Sequence, residues 1–165
     1  MTVPLWHPAY VGLGSNLEGP PAQVRGAIAE LAGIADTRVE ATSHLYRSRP
    51  LGPPDQPDYV NAVAGLLTRL TPESLLEAMQ AIERRHGRDR SGPKWGPRTL
   101  DLDLLLYGGR ELRSDALVLP HPHLHERAFV LVPLAEIAPA VGVPDHGRVE
   151  LLAARCDRDG LGVLE

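Results

Sequence analysis

Leu100-Asp101-Leu102-Asp103-Leu104-Leu105-Leu106-Tyr107 sets leucines at alternate positions with two aspartates between them. That period of two belongs to a β-strand with one buried face. Leu100, Leu102, Leu104 and Leu106 are predicted to share the buried face. Asp101 and Asp103 then stand together on the other, about 6.6 to 6.8 Å apart along the strand.

Working outward, residues Gly87 to Pro97 contain three glycines and two prolines, which predicts a loop. Before it, Thr71-Pro72-Glu73 reads as an N-cap, a proline at the first helical position and an acid at the positive end of the helix dipole. Leu75, Leu76, Met79 and Ile82 form the apolar stripe of that helix, with Gln80, Glu83 and Arg84 predicted off it and Gly87 as the stop. Upstream, Val60, Ala62, Ala64 and Leu66 alternate with Tyr59, Asn61 and Val63 as a strand from Tyr59 to Thr68. Pro50 to Pro57 holds four prolines and a glycine and reads as a stiff loop. Arg38 to Arg47 predicts another strand. Val24, Ala27, Ile28 and Leu31 predict a helix after Pro20-Pro21, closed at Gly33 by a left-handed residue. Ala9, Val11 and Leu13 form the first strand. The order strand, helix, strand, strand, helix, strand predicts an α+β fold, a ferredoxin-like sandwich with an antiparallel sheet and helices packed on it. Residues 108–165 are less legible, with apolar runs around Val130 and Leu151 that fit either a helix or an extra hairpin.

A chain of 165 residues with 43% hydrophobic content suffices for one core, so a single domain over 1–165 is expected. The net charge of -4 argues against a nucleic-acid coat protein. Cys156 is the sole cysteine, which excludes an intrachain disulfide. Met1 to Pro8 lacks the pattern of a signal peptide and no apolar run reaches the ~20 residues of a membrane span, so a cytoplasmic address is expected.

Two like charges side by side raise each other's pKa unless a cation lies between them. Paired carboxylates with phosphate oxygens completing the shell suit Mg²⁺; a solvated strand face is the plainer alternative. Just upstream stand Arg84, Arg85, Arg88, Arg90, Lys94 and Arg98, with Asp89 as the one acid among them. Guanidinium forks bind phosphate oxygens bidentately, although a solvated charge run is again the alternative. The dinucleotide fingerprint fails at Leu17 and the Walker pattern at Pro93, so an ATP site here must be built from side chains and metal on a sheet surface. His121, His123 and His125 alternate and would bind zinc if extended, which opens a hydrolase reading. A small RNA-binding sheet is a further class, poorly served by 4% aromatic residues.

Trp95-Gly96-Pro97-Arg98-Thr99-Leu100-Asp101-Leu102-Asp103-Leu104-Leu105 resembles the signature of the hydroxymethyldihydropterin pyrophosphokinase family of folate synthesis. Gly12-Leu13-Gly14-Ser15-Asn16-Leu17, Asp55 to Ala62, Pro120-His121 and Arg127-Ala128-Phe129 agree with it in order and spacing. The resemblance runs from about Tyr10 to Asp145 and leaves 1–8 and about 146–165 uncovered. It implies transfer of diphosphate from ATP to the hydroxymethyl group of 6-hydroxymethyl-7,8-dihydropterin, releasing AMP, with two Mg²⁺ ions on Asp101 and Asp103. Arg88 and Arg98 join the aspartates as catalytic residues. By the same resemblance Gln80, Glu83, Arg88, Trp95, Arg98, His121 and Arg127 lie at the nucleotide. Gly14, Ser48, Arg49, Leu51, Tyr59, Asn61 and Phe129 lie at the pterin, with Tyr59 and Phe129 flanking the ring and Asn61 bonding its edge. Arg49 stands where relatives often carry a small residue or proline, and His123 where many carry arginine. The expected partners are these small molecules, with no nucleic acid or membrane, and the chain is expected to be a monomer or weak dimer.

Overall fold

The computed structural model describes residues 2–87 and 99–164. Strand β1 (Thr2–Ser15) leads into α1 (Pro20–Ala32), followed by β2 (Thr37–Thr42), β3 (Tyr46–Ser48) and β4 (Tyr59–Leu70). Helix α2 (Pro72–Arg85) and β5 (Asp101–Tyr107) complete the unit expected from sequence. Beyond it come β6 (Leu112–Arg113), β7 (Val118–Leu119), a 3-10 turn at Leu124–Glu126, α3 (Ala128–Ile137), β8 (Gly142–Val143), β9 (Gly147–Arg148), α4 (Val149–Arg155) and β10 (Gly162–Val163).

The main sheet is antiparallel in every pairing, with β5 beside β1, β1 beside β4, and both β2 and β3 along the far edge of β4. The expected strand from Arg38 to Arg47 is thus broken in two. Ser43 causes the break: its N–H donates to the Val63 carbonyl at 2.9 Å while its Oγ accepts the Val63 N–H at 2.9 Å. His44 then turns outward, and its N–H reaches Glu136 on α3 at 3.1 Å. The last strand, β10, lengthens the β3 edge through Gly162 and Val163.

Alternation assigns the two faces. Ala9, Val11, Leu13, Ala62, Ala64, Leu66, Leu102 and Leu104 meet Val24, Ala27 and Leu31 of α1 and Leu75, Met79 and Ile82 of α2 in one apolar cluster. On the other face, Val63, Leu105 and Leu106 meet Val130, Leu131 and Leu134 of α3 and Val149 and Ala153 of α4. Four helices therefore cover both faces, and the apolar runs around Val130 and Leu151 are helical. Leu106 departs from its expected face. The pairing steps from Tyr10↔Leu106 to Val11↔Leu104, and this bulge at Leu105 reverses the alternation beyond it.

Local signals hold in part. Thr71 Oγ1 accepts the Ser74 N–H at 3.2 Å, the N-cap expected for α2, worth about 1 kcal/mol. Gly87 follows that helix at φ 82°, a conformation open to glycine at little strain. Gly33 closes α1 at φ -89°, not left-handed as expected; the left-handed glycine is Gly19 at φ 75°, at the helix entrance.

Between α1 and α2, Glu30 binds Arg85 Nε at 2.9 Å and the His86 ring. Burial pushes the Glu30 carboxyl up, but the bonds from Arg85 and His86 outweigh it and hold the group below its ordinary value. A depressed carboxylate stabilises the fold fully above its unfolded pKa of about 4.3, and that contribution fades as pH falls through the folded value. Glu30→Gln should therefore cost about 1 kcal/mol, roughly 2 to 4 °C of melting temperature, at neutral pH and almost nothing near pH 2. Thermal melts at both pH values check this, and equal losses would contradict it.

Candidate active site

Gly14 of β1 pairs with Asp101 on one side and Asn61 on the other. Directly paired residues share a face, so Asp101, Gly14 and Asn61 form one cross-strand row. Asp103, Gly12 and Val63 form the next. Paired Cα atoms lie about 4.5 to 5.5 Å apart, which puts Asp101 and Asn61 about 10 Å from each other across a glycine. The middle of the row has no side chain. A Cβ built on Gly14 meets Asn61 Oδ1 at 3.3 Å and Tyr59 Cδ1 at 3.6 Å, so Tyr59 and Asn61 stand over that glycine floor.

Asn61 is buried and its Nδ2 donates to Ser48 Oγ at 2.6 Å, a bond that orients the amide. The neighbouring Tyr46 ties β3 to α3 through its hydroxyl, which donates to Glu136 Oε1 at 2.6 Å. Burial, then the Glu136 carboxylate, push the Tyr46 phenol up to about 12, so it remains a donor at neutral pH. Phe129 lies in the first turn of that same helix. Asn16, at the end of β1, donates to Gln56 Oε1 and to the Pro57 carbonyl, both at 3.0 Å, and so anchors the proline-rich loop beside the floor. Ser15 Oγ donates to the Thr99 carbonyl and anchors the entry to β5.

At the aspartate end, Asp103 is 42% exposed at its side chain and its Oδ2 lies 3.9 Å from His121 Nε2. Such a contact would ordinarily raise the histidine. Burial, Arg127 and His123 instead push His121 down to about 4. The ring is therefore neutral at pH 7. Its Nδ1 accepts the His123 N–H at 3.2 Å, which leaves the proton on Nε2 facing the aspartate side. Burial lowers Arg127 while Asp103, Glu126 and Asp101 act against that shift, so the guanidinium feels both aspartates. Its Cζ lies 5.7 Å from the Phe129 ring centre and links the two halves of the site. Two carboxylates on one partly open surface, next to a guanidinium and a neutral N–H donor, fit a divalent cation shared with an anionic ligand.

Of the residues expected at the nucleotide, His121 and Arg127 meet at the aspartates, and Gln80 is half-buried on α2. Glu83 departs from the sequence expectation. It is not off the apolar stripe but 1% exposed, and Oε2 accepts the Leu102 N–H at 2.9 Å. Its spacing of one turn from Met79 carried that signal. Arg88, Trp95 and Arg98 lie outside the described residues. Of those expected at the pterin, Gly14, Ser48, Tyr59 and Asn61 come together. Leu51 is exposed, and the Arg49 guanidinium is turned to Asp159 at 2.7 Å. The histidines do not converge: the chain folds into the 3-10 turn, and the His125 ring stacks on His146 with centres 3.8 Å apart. Among the described residues no three His, Cys, Asp or Glu side chains are grouped so as to hold a metal ion, and nothing in the geometry favours the zinc alternative at these histidines.

Residues 10–139 match the family model of 7,8-dihydro-6-hydroxymethylpterin-pyrophosphokinase (HPPK). The 2-amino-4-hydroxy-6-hydroxymethyldihydropteridine pyrophosphokinase of Pseudomonas aeruginosa is 49% identical over 152 residues, covering 92% of this chain and 93% of that protein. The protein of the same name from Bacillus subtilis is 39% identical over 155 residues, covering 94% and 89%. Among solved structures, the Plasmodium falciparum HPPK-DHPS matches with a TM-score of 0.71 at 12% identity, over 91% of this chain and 45% of that one. This chain thus spans less than half of that longer protein, and the likeness speaks for the fold. The match over residues 10–139 and the identity to full-length relatives place the chain in the 7,8-dihydro-6-hydroxymethylpterin-pyrophosphokinase family.

Proposed function

We propose that the protein transfers the terminal diphosphate of ATP to the hydroxymethyl oxygen of 6-hydroxymethyl-7,8-dihydropterin, giving AMP and the pterin diphosphate for folate synthesis. The row Asp101–Gly14–Asn61 carries the assignment, because it sets a cation-binding pair and a flat acceptor floor side by side on one sheet face. The fold fits this use. The strand order β5-β1-β4 with β2 and β3 outermost supports reading the fold as a ferredoxin-like sandwich, with α1 and α2 on one face and the site on the other.

In the reaction the acceptor oxygen forms a bond to the β-phosphorus while the bond from that phosphorus to the α,β-bridging oxygen breaks. AMP leaves with the bridging oxygen, and the hydroxyl proton passes to solvent. Asp101 and Asp103 would hold two Mg²⁺ ions, which when bound offset the charge of the triphosphate. Arg127 and the Nε2–H of His121 donate toward the same region and orient phosphate oxygens. Tyr59 and Phe129 flank the pterin ring, and the Asn61 amide offers a donor and an acceptor to its edge. Ser48, Arg49 and Leu51 border that pocket, the last two through their backbone. By the family resemblance Arg88, Arg98, Trp95 and Gln80 are assigned to the nucleotide, the first three lying outside the described residues. A cavity of about 480 Å³ lined by Leu112, Val118, Pro120, His121 and His146 is of nucleoside size. No helix among the described residues is long and apolar enough to cross a membrane. The proposed enzyme is cytoplasmic, monomeric or weakly dimeric, and acts on small molecules without nucleic acid.

The protein with ATP, Mg²⁺ and the pterin should release AMP and pterin diphosphate in equal amounts; ADP as the main product would sink the assignment. Asp101→Asn or Asp103→Asn should keep the fold and lose on the order of 10²-fold in turnover. Near-normal turnover in both at saturating Mg²⁺ would remove the metal role.

Gly14→Ala tests the acceptor floor, since its methyl group would stand 3.3 Å from Asn61 Oδ1 where the ring is to lie. The KM for the pterin should rise roughly tenfold, about 1.4 kcal/mol, with the KM for ATP nearly unchanged. Steady-state kinetics with each substrate varied decide it, and an unaltered pterin KM would place the ring elsewhere.

A further inference from the structure

We infer that Glu83 is a positioning residue for the aspartate pair: its buried carboxylate holds the outer edge of β5 between Asp101 and Asp103. This rests on the reading of those aspartates as cation ligands. A carboxylate in the last turn of a helix opposes the helix dipole, and burying one is costly unless hydrogen bonds satisfy it. Glu83 meets both conditions, lying in the last turn of α2 and 1% exposed. Its Oε2 accepts the Leu102 N–H at 2.9 Å, from the residue between the two aspartates.

The geometry gives that bond its consequence. Antiparallel strands turn the N–H groups of successive residues to opposite edges. Leu102 points its N–H away from β1 to Glu83, so Asp101 and Asp103 turn theirs toward Gly14 and Gly12 of β1. Three consecutive residues are thereby held from both sides. With the Leu102 side chain 5% exposed against the helices, the segment that aims both carboxylates at the opposite face has little freedom to twist. Without the Glu83 bond, the Leu102 N–H loses its tie on the edge away from β1, and the spacing of the carboxylates is freer to vary.

The test uses the full chain with Glu83→Gln, which keeps an acceptor oxygen, Glu83→Asp, which draws it back by one methylene, and Glu83→Leu, which removes it. Hydrogen exchange of the Leu102 amide by NMR reports the bond. Titration of Mn²⁺ in the presence of α,β-methylene-ATP, followed by electron paramagnetic resonance, reports the cation site. In Glu83→Leu the Leu102 amide should exchange at least tenfold faster while the Asp101 and Asp103 amides stay protected. Mn²⁺ should bind about tenfold more weakly and the pterin with unchanged affinity. Glu83→Gln should restore both readouts to within about threefold, and Glu83→Asp should move both together. Should Glu83→Leu fail to fold, the other two variants still decide, because the two readouts must change in step. Wild-type Mn²⁺ affinity in a variant whose Leu102 amide has lost protection overturns the positioning role. So does an equal loss of metal-free nucleotide affinity in Glu83→Gln and Glu83→Leu, which would mean direct contact with the nucleotide. Asp101→Asn separates the two levels: if it too binds Mn²⁺ normally, the cation reading itself has failed, whereas if it alone loses Mn²⁺, only the role of Glu83 has.

Discussion

The register of β1 between β4 and β5 is the constraint on which the site depends. Gly14 faces Asp101 on one flank and Asn61 on the other, and Gly12 faces Asp103 and Val63 in the same way. A slip of one residue would turn Gly12 and Gly14 to the helix layer and bring Leu13 under the site, because strand side chains alternate between faces. The slip is opposed by Ala9, Val11 and Leu13, which are almost wholly buried against α1 and α2. The same apolar packing that stabilises the fold thus fixes which residues reach the other face. Function occupies the positions that the core leaves free.

Electrostatics then separate the two ends of the row. At one end, Asp101 and Asp103 stand beside the guanidinium of Arg127 and a histidine kept neutral by burial and nearby positive charge. That combination suits an anion at the donors and a cation at the carboxylates. At the other end, Asn61 is held by Ser48, and Tyr59 borders a glycine, an arrangement that suits the flat ring with hydrogen-bonding edges proposed to lie there. Phe129 and Arg127 occupy adjoining positions at the start of α3, and Glu136, near its far end, binds His44 and Tyr46 on the sheet edge. The orientation of α3 is therefore set by polar contacts as well as by its apolar residues.

Much of this was legible in the sequence, for definite reasons. Alternating residue types announced Ala9–Leu13, Tyr59–Thr68 and Leu100–Tyr107 as strands, although β4 is buried on both faces and the alternation of β5 holds only to Leu104, and the Thr71-Pro72-Glu73 start of α2 is a local signal needing no tertiary partner. The pair Asp101 and Asp103 needed only the strand period. What escaped depends on distant contacts. The break at Ser43 arises from its two bonds to Val63, and the reversal at Leu106 from a bulge that no spacing rule announces. The charge of Glu83 predicts an exposed position although it lies one turn from Met79, because its burial depends on a partner on another element, the Leu102 N–H. α3 is apolar nearly all round and so shows no clear period, while α4 and β10 carry too few residues for one, and all three take their places from the face they cover or the edge they extend.

The most direct test of the account is where a bound cation sits relative to the acceptor floor. With Mn²⁺, α,β-methylene-ATP and the pterin bound, paramagnetic broadening of backbone amides maps the metal in solution. The row geometry predicts the strongest broadening at residues 12–15 and 101–104, weaker broadening at Asn61, and little at the β10 edge around Gly162 and Val163. Broadening centred on His125 and His146, with the amides of Gly14 and Leu102 unaffected, would contradict it.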